Sequence, residues 1–315
     1  QSLIATKAAR MRDVVRRHGD GQTLVDFGSR RAHGTDAGLK AARAAYVGGA
    51  DGTSNEAAGE RFDLPVFGTM AHSWIQSFES ERAAFETFVE VYGADSVLLI
   101  DTYDTVEGAR TARDVAREMD VDVRGVRLDS GDLAALSRSV REVLPDSMDV
   151  FVSSGVDEYA IESFLEAGGV ADGFGPGTAL VTSEDGPTLN AVYKLVAVER
   201  GGTLRPSTKL SPGKVTYPGQ KSVRRERDRD VLALRGEDAP GEERLVTVFE
   251  DGERVYEVPT LPERRDRAAA ERRELPPACR RLRNPATYPV DVSAELERVA
   301  QDLEEELTER YVRRE

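Results

Sequence analysis

The sequence predicts an α/β protein: a parallel sheet curled into a closed or nearly closed (β/α) barrel over residues 1–200, then a β-rich segment with carboxy-terminal helices over 201–315. Three observations carry this expectation. Short apolar runs recur along the chain, each ends in a turn of small or polar residues, and an amphipathic helical pattern follows most of them. That alternation is the signature of parallel βα units. The units recur roughly every 25–30 residues over about 180 residues, which favours a barrel over an open sheet.

In chain order, residues 23–27 run into Gly28-Ser29-Arg30-Arg31, and residues 64–67 into Gly68-Thr69-Met70-Ala71-His72-Ser73. Residues 96–100 lead to Asp101-Thr102-Tyr103-Asp104, residues 123–126 to Arg127-Leu128-Asp129-Ser130-Gly131-Asp132, and residues 149–152 to Ser153-Ser154-Gly155-Val156-Asp157. Residues 171–174 lead to Gly175-Pro176-Gly177-Thr178. Helical periodicity covers 73–91, 105–119, 133–144 and 158–167. Turns that follow barrel strands share one rim, so Arg30, His72, Asp101, Asp129, Asp157 and Gly175 are expected to converge there.

The turn at 127–132 is the richest in chemistry, with one guanidinium and two flanking carboxylates at a strand-to-helix junction. Paired aspartates suit ribose hydroxyls or Mg²⁺, and Arg127 suits a phosphate. The alternative is a helix N-cap, for which Asp129 and Ser130 are suitable types, beside a surface ion pair.

The net charge is −14, and only six of the 43 basic residues are lysines. So acidic a chain is not expected to bind nucleic acid non-specifically, and it fits a high-salt cytoplasm; the compositional bias of a GC-rich genome is the other explanation. No run of apolar residues is long enough to span a membrane, and the start does not resemble a signal peptide, so the expected location is cytoplasmic. With one cysteine, Cys279, an internal disulfide and a cysteine-based zinc site are excluded.

Past residue 200, Lys209, Lys214 and Lys221 place half of the lysines in thirteen residues broken by Pro and Gly. The cluster reads either as an anion-binding loop or as a hairpin with a solvated basic face. Residues 189–199, 230–234, 244–249 and 254–258 read as strands, and 262–275 and 293–313 as charged helices, the second with an apolar stripe that suits packing.

Taken together, the motifs at 26–34, 48–55, 68–73, 99–103, 127–132, 154–158, 174–178 and 209–221 occur in the order found in nicotinate phosphoribosyltransferases. The resemblance covers roughly residues 1–225. It departs at an amino-terminal Asp-x-Tyr-x-x-Thr-Met motif, which is not found here, and in the far carboxy-terminal part, which matches weakly. It implies the irregular barrel of the type II phosphoribosyltransferases with a smaller α+β flanking domain. The reaction implied joins nicotinate to phosphoribosyl pyrophosphate, giving nicotinate mononucleotide and pyrophosphate with ATP hydrolysis and Mg²⁺. A homodimer with shared sites is implied as well.

On this resemblance Arg30, Arg127 and the three lysines face the departing anion, and Asp129 holds ribose hydroxyls or the metal. Gly175, Gly177 and Thr178 cradle the 5′-phosphate, with Gly155 and Asp157 in the adjoining motif of the binding site. Phe27 stacks on the pyridine ring and Thr53 or Ser54 bonds its carboxylate. His72 matches the histidine phosphorylated by ATP, and a neutral imidazole is a competent acceptor. Asp101 or Asp129 would orient it. Nicotinamide or quinolinate as the base, a sugar-phosphate aldolase or isomerase, and a non-catalytic nucleotide-binding homologue are the competing readings. Asp51 keeps the amide open, because a carboxylate accepts from an amide.

Overall fold

The computed structural model describes residues 1–189, 191–210 and 216–311. The chain forms two compact units, one of residues 1–189 with 260–270, the other of residues 190–259 with 271–315.

The first unit holds six parallel strands, β1 Thr23–Asp26, β2 Gly52–Thr53, β3 Val97–Leu99, β4 Gly125–Leu128, β5 Asp149–Ser153 and β6 Gly173–Gly175, in the order β2-β1-β6-β5-β4-β3. The expected strand at 64–67 is reduced to one bridge, Val66 to Thr53. That segment nevertheless touches both edges of the sheet. Thr53 N–H donates to Pro65 O, Phe67 N–H donates to Thr53 O, and the Thr69 hydroxyl donates to Val97 O at 3.0 Å. The sheet therefore curls until 64–69 bridges its two edge strands.

Nine helices lie along this unit: α1 Ser2–His18, α2 Thr35–Gly48, α3 Glu56–Phe62, α4 His72–Gln76, α5 Glu81–Tyr92, α6 Thr105–Met119, α7 Leu133–Val143, α8 Glu158–Glu166 and α9 Thr178–Thr182. In α6 the Asp104 side chain caps the first turn by accepting from Val106 and Glu107 N–H, and Ala109, Ala112, Val115 and Ala116 form its buried stripe. α1 and α2 pack with backbones close, since a Cβ on Gly48 would lie 2.3 Å from Ala5 O. The pattern expected as one helix over 73–91 is broken at 77–80, where Ser80 caps α5 by accepting from Ala83 N–H. The core beneath α4 to α7 includes Ile75, Phe85, Leu98, Ile100, Val126 and Leu128. The first part of α10, Leu261–Glu274, also belongs to this unit, with Leu261 packed against Ala42, Ala58 and Leu64.

The second unit contains the hairpin β7 Ala197–Arg200 and β8 Thr203–Pro206, turned by Gly201 and Gly202 at φ 60° and 75°. Its main sheet comprises β9 Lys221–Arg225, β10 Asp230–Leu234, β11 Glu242–Glu243 and, after the short hairpin of β12 Phe249–Glu250 and β13 Glu253–Arg254, β14 Val290–Val292. α11, Ala294–Tyr311, buries Leu296. The strands expected over 244–249 and 254–258 shrink to these two-residue pairs, with Leu245, Val246 and Val255 exposed. No helix among the described residues is long and apolar enough to cross a membrane.

Candidate active site

The strand ends bring the turn residues of the first unit together, and His72 shows the result most clearly. It opens α4, which is anchored by buried Ile75 and by Trp74 Nε1 donating to Ala84 O at 3.2 Å. The imidazole, 39% exposed, has Nδ1 3.0 Å from the Thr102 hydroxyl, and Nε2 3.7 Å from Asp129 Oδ2 and 4.0 Å from Asp101 Oδ1. Carboxylates on the Nε2 side favour a proton there and leave Nδ1 with its lone pair.

Asp101 is 1% exposed at its side chain. Its Oδ2 accepts from Asp129 N–H at 2.9 Å and the Ser130 hydroxyl at 2.6 Å, whereas its buried Oδ1 has no hydrogen-bond partner. Asp129 accepts the Ser153 hydroxyl at 2.7 Å. The cap of α7 is Asp132, which accepts from Ala135 N–H, so Asp129 is not used as the N-cap. Glu81, at the start of α5, also has a buried unpartnered oxygen; burial and the nearby Asp101 and Asp104 carboxylates push its pKa up to about 7.

Arg127 departs from expectation. All four residues of β4 are buried, and the guanidinium turns into the protein: Nη1 donates to the Ser153 hydroxyl at 2.9 Å and lies 3.2 Å from Asp129 Oδ1, and Nη2 donates to Met70 O at 3.0 Å. Burial lowers its pKa, the Asp129 and Asp101 carboxylates oppose that, and Arg30 adds to the lowering. Arg127 thus braces Asp129 and the main chain two residues before His72 instead of offering an open fork to a phosphate. Arg30 is an accessible guanidinium, exposed with Arg31 in the 3₁₀ turn Ser29–Arg31, and its side chain has no hydrogen bond or ion pair among the described residues.

The ends of β1 and β6 form the other side of the rim. Phe27 N–H donates to Pro176 O, and the half-buried ring lies so close to Gly175 that a Cβ there would be 2.3 Å from Phe27 Cδ2. A Cβ on Gly28 would meet Val181 Cγ1 at 2.1 Å and Gly177 O at 2.7 Å. Gly177 leads into α9 with Thr178 exposed. Ser154 and Gly155 are exposed at φ 72° and 58°, and Asp157 caps α8 by accepting from Tyr159 and Ala160 N–H.

Thr53, expected at the ligand, is instead 1% exposed, and its hydroxyl donates to Asp26 Oδ2 at 2.9 Å. Burial pushes the Asp26 carboxyl above its usual range against the pull of Gly28 N–H and Thr53. The Ser54 hydroxyl donates to Asp26 O and is only partly buried, so it retains its lone pairs. Asp51 is held by Arg12, Arg265 and Leu24 N–H, which occupy both of its oxygens. In the second unit Lys209 is exposed, whereas Lys221 Nζ donates to Tyr217 O and Gly219 O of its own loop, with burial lowering its pKa. Lys214 lies outside the described residues. Asp26, Thr102 and Ser153 lie in or beside the turns read from the sequence, which assigns them no role there, and Glu81 lies outside every motif. Among the described residues no group of three or more His, Cys, Asp or Glu side chains is arranged to hold a metal ion.

The model of the nicotinate phosphoribosyltransferase (NAPRTase) family matches residues 22–253. The chain belongs to the nicotinate phosphoribosyltransferase family. The model of that family's C-terminal domain matches residues 229–300, correcting the expectation that this part departs from the family. The chain is 45% identical over 306 residues to nicotinate phosphoribosyltransferase pncB2 of Mycobacterium tuberculosis, covering 93% of this chain and 64% of that protein. It is 37% identical over 356 residues to the Bacillus subtilis nicotinate phosphoribosyltransferase, covering 98% and 72%. The crystal structure of human nicotinic acid phosphoribosyltransferase superposes with a TM-score of 0.78 at 28% identity, over 95% of this chain and 73% of that one. The chain thus spans less than two thirds of the mycobacterial relative's length, and the irregular type II phosphoribosyltransferase barrel is its fold.

Proposed function

We propose that the protein transfers the phosphoribosyl group of phosphoribosyl pyrophosphate to nicotinate, releasing pyrophosphate and supplying nicotinate mononucleotide for NAD salvage, with ATP hydrolysed through His72. The observation that carries this reading is the His72 imidazole held between Thr102 and the Asp101 and Asp129 carboxylates, on the rim that also carries Arg30 and the Phe27–Gly175 contact. The relatives' names support the phosphoribosyl transfer to nicotinate.

Cleaving the C1–oxygen bond builds positive charge on the ribose and negative charge on pyrophosphate, so the site's work is alignment and charge stabilisation. Asp129, braced by Arg127 and Ser153, faces the ribose, and exposed Arg30 faces the departing anion. Nδ1 of His72, once released by the Thr102 hydroxyl that it faces, attacks the γ-phosphorus of ATP as the bond to the ADP oxygen breaks; ADP leaves, water later hydrolyses the phosphohistidine, and Nε2–H stays directed at the carboxylates. Mg²⁺ would enter with the diphosphate and ATP, whose oxygens can supply most of its ligands. The three donors already on Asp51 weaken its ability to accept from an amide, which favours nicotinate over nicotinamide. The family resemblance supports a homodimer, and the sequence reading a cytoplasmic setting.

The test is pyrophosphate release from phosphoribosyl pyrophosphate in the presence of nicotinate, nicotinamide, quinolinate or no base. Release with nicotinate alone is expected. Release with nicotinamide at an equal rate would remove the argument from Asp51.

A further inference from the structure

The most heavily charged buried cluster away from the His72 rim lies where α1 meets α8 and the chain beyond α9. Lys7 Nζ, 3% exposed, is 3.0 Å from Glu158 Oε2 and donates to Asp185 Oδ1 at 2.7 Å. One helical turn on, Arg10 Nε is 2.9 Å from Glu158 Oε1, Nη1 donates to Asp185 Oδ2 at 2.9 Å, and Nη2 donates to the Tyr159 hydroxyl at 2.7 Å. Glu158 is 0% exposed. Burial lowers the Lys7 pKa, but the Asp185 and Glu158 carboxylates outweigh it, so the ammonium titrates above its usual range; Asp185 is held below its own against burial.

The placement of the acidic partners gives the cluster its meaning. Glu158 follows Asp157, the cap of α8, and so marks the end of the loop leaving β5. Asp185 lies just beyond Ser183, the left-handed residue that ends α9, the helix entered from the loop leaving β6. β5 and β6 are paired up to Ser153 and Gly175, and beyond that pair both loops leave the sheet. α1 grips both elements at once. A buried ion-pair network is a poor source of net stability, because desolvation offsets the attraction, whereas its directional bonds fix relative position well.

We propose that Lys7 and Arg10 form a clasp that sets the spacing of the 154–157 and 175–178 loops, making them positioning residues for the phosphates of phosphoribosyl pyrophosphate. This rests on the phosphoribosyl-transfer reading. Neither residue touches the substrate.

The test compares Lys7→Met, Lys7→Arg and Asp185→Asn, the last being a milder change at the half-exposed end of the clasp. Lys7→Met is expected to raise KM for phosphoribosyl pyrophosphate roughly ten-fold, with KM for nicotinate within about two-fold of the parent and Lys7→Arg restoring much of the loss. Amide hydrogen exchange at Gly155, Val156, Gly177 and Thr178 should quicken by about ten-fold in Lys7→Met and less in Asp185→Asn. Exchange is read whether or not the protein catalyses the transfer, which separates failure of the clasp from failure of the functional reading. If Lys7→Met does not fold, the same two measurements on Asp185→Asn decide. Lower melting temperature with unchanged exchange at those four amides and an unchanged KM would overturn the proposal and leave the cluster a structural tie.

Discussion

Arg127 shows what a residue type does and does not reveal. An arginine at a strand end before an aspartate suggests a phosphate ligand, but direction decides, and β4 is buried throughout, so no alternation betrays which way the side chain points. Its bonds to Ser153, Met70 O and Asp129 make it a brace. Arg127→Ala should therefore destabilise the fold by about 3 kcal/mol, measured by urea unfolding, since it leaves the Asp129 carboxylate without its counter-charge and the Met70 carbonyl without its donor. Arg127→Lys should recover little, because one ammonium cannot reproduce the fork. A stable Arg127→Ala protein with only a raised KM would return Arg127 to the ligand. Glu81 was invisible to sequence reasoning, because its environment is assembled by Asp101 and Asp104 from another part of the sheet. Its folded pKa of about 7 lies above its ordinary 4.5, so the folded state holds the proton more tightly. Stability from this group is greatest below about 4.5 and is lost as pH rises through about 7. Glu81→Gln should accordingly raise the melting temperature relative to the parent at about pH 8 more than at about pH 5, and a pH-independent difference would show that Glu81 does not titrate in this range.

At the scale of elements, long helices were legible and short strands were not. α6 has a capping Asp104 and apolar residues at helical spacing, and its observed bounds agree with the expected 105–119. β2 has two residues, Gly52 and Thr53, too few for a period, and residues 64–67 made only a bridge because their partner strand is that short. The convergence of β1 and β6 was legible as a rim, but the reason for its glycines was not. Gly28 is required because α9 and the Gly177 carbonyl approach the turn after β1 within the space of a methyl group. Gly28→Ala should cost about 1–3 kcal/mol by overpacking and weaken phosphoribosyl pyrophosphate binding at the displaced Gly177 loop. Denaturant unfolding and KM measure the two effects, and an alanine variant with parental stability would show that the turn can yield without cost.

For the whole molecule, the ordered motifs placed the chain in its family because six of the eight follow strand ends or the 64–67 segment of the first unit, whose curled sheet brings those ends together. The carboxy-terminal part was harder to read: its sheet is built from two- to five-residue strands and its helix α10 is charged along its length. The rim around His72 is proposed to couple ATP hydrolysis to phosphoribosyl transfer. The direct measurement is the rate of nicotinate mononucleotide formation with and without ATP, in the parent and in His72→Asn, together with the melting temperature of each. His72→Asn is expected to lose nicotinate-stimulated ATP hydrolysis, with its rate ratio with and without ATP falling to about one, while slower transfer survives through alignment by Asp129 and Arg30. A variant that melts lower yet keeps the parent's full ATP stimulation would contradict it.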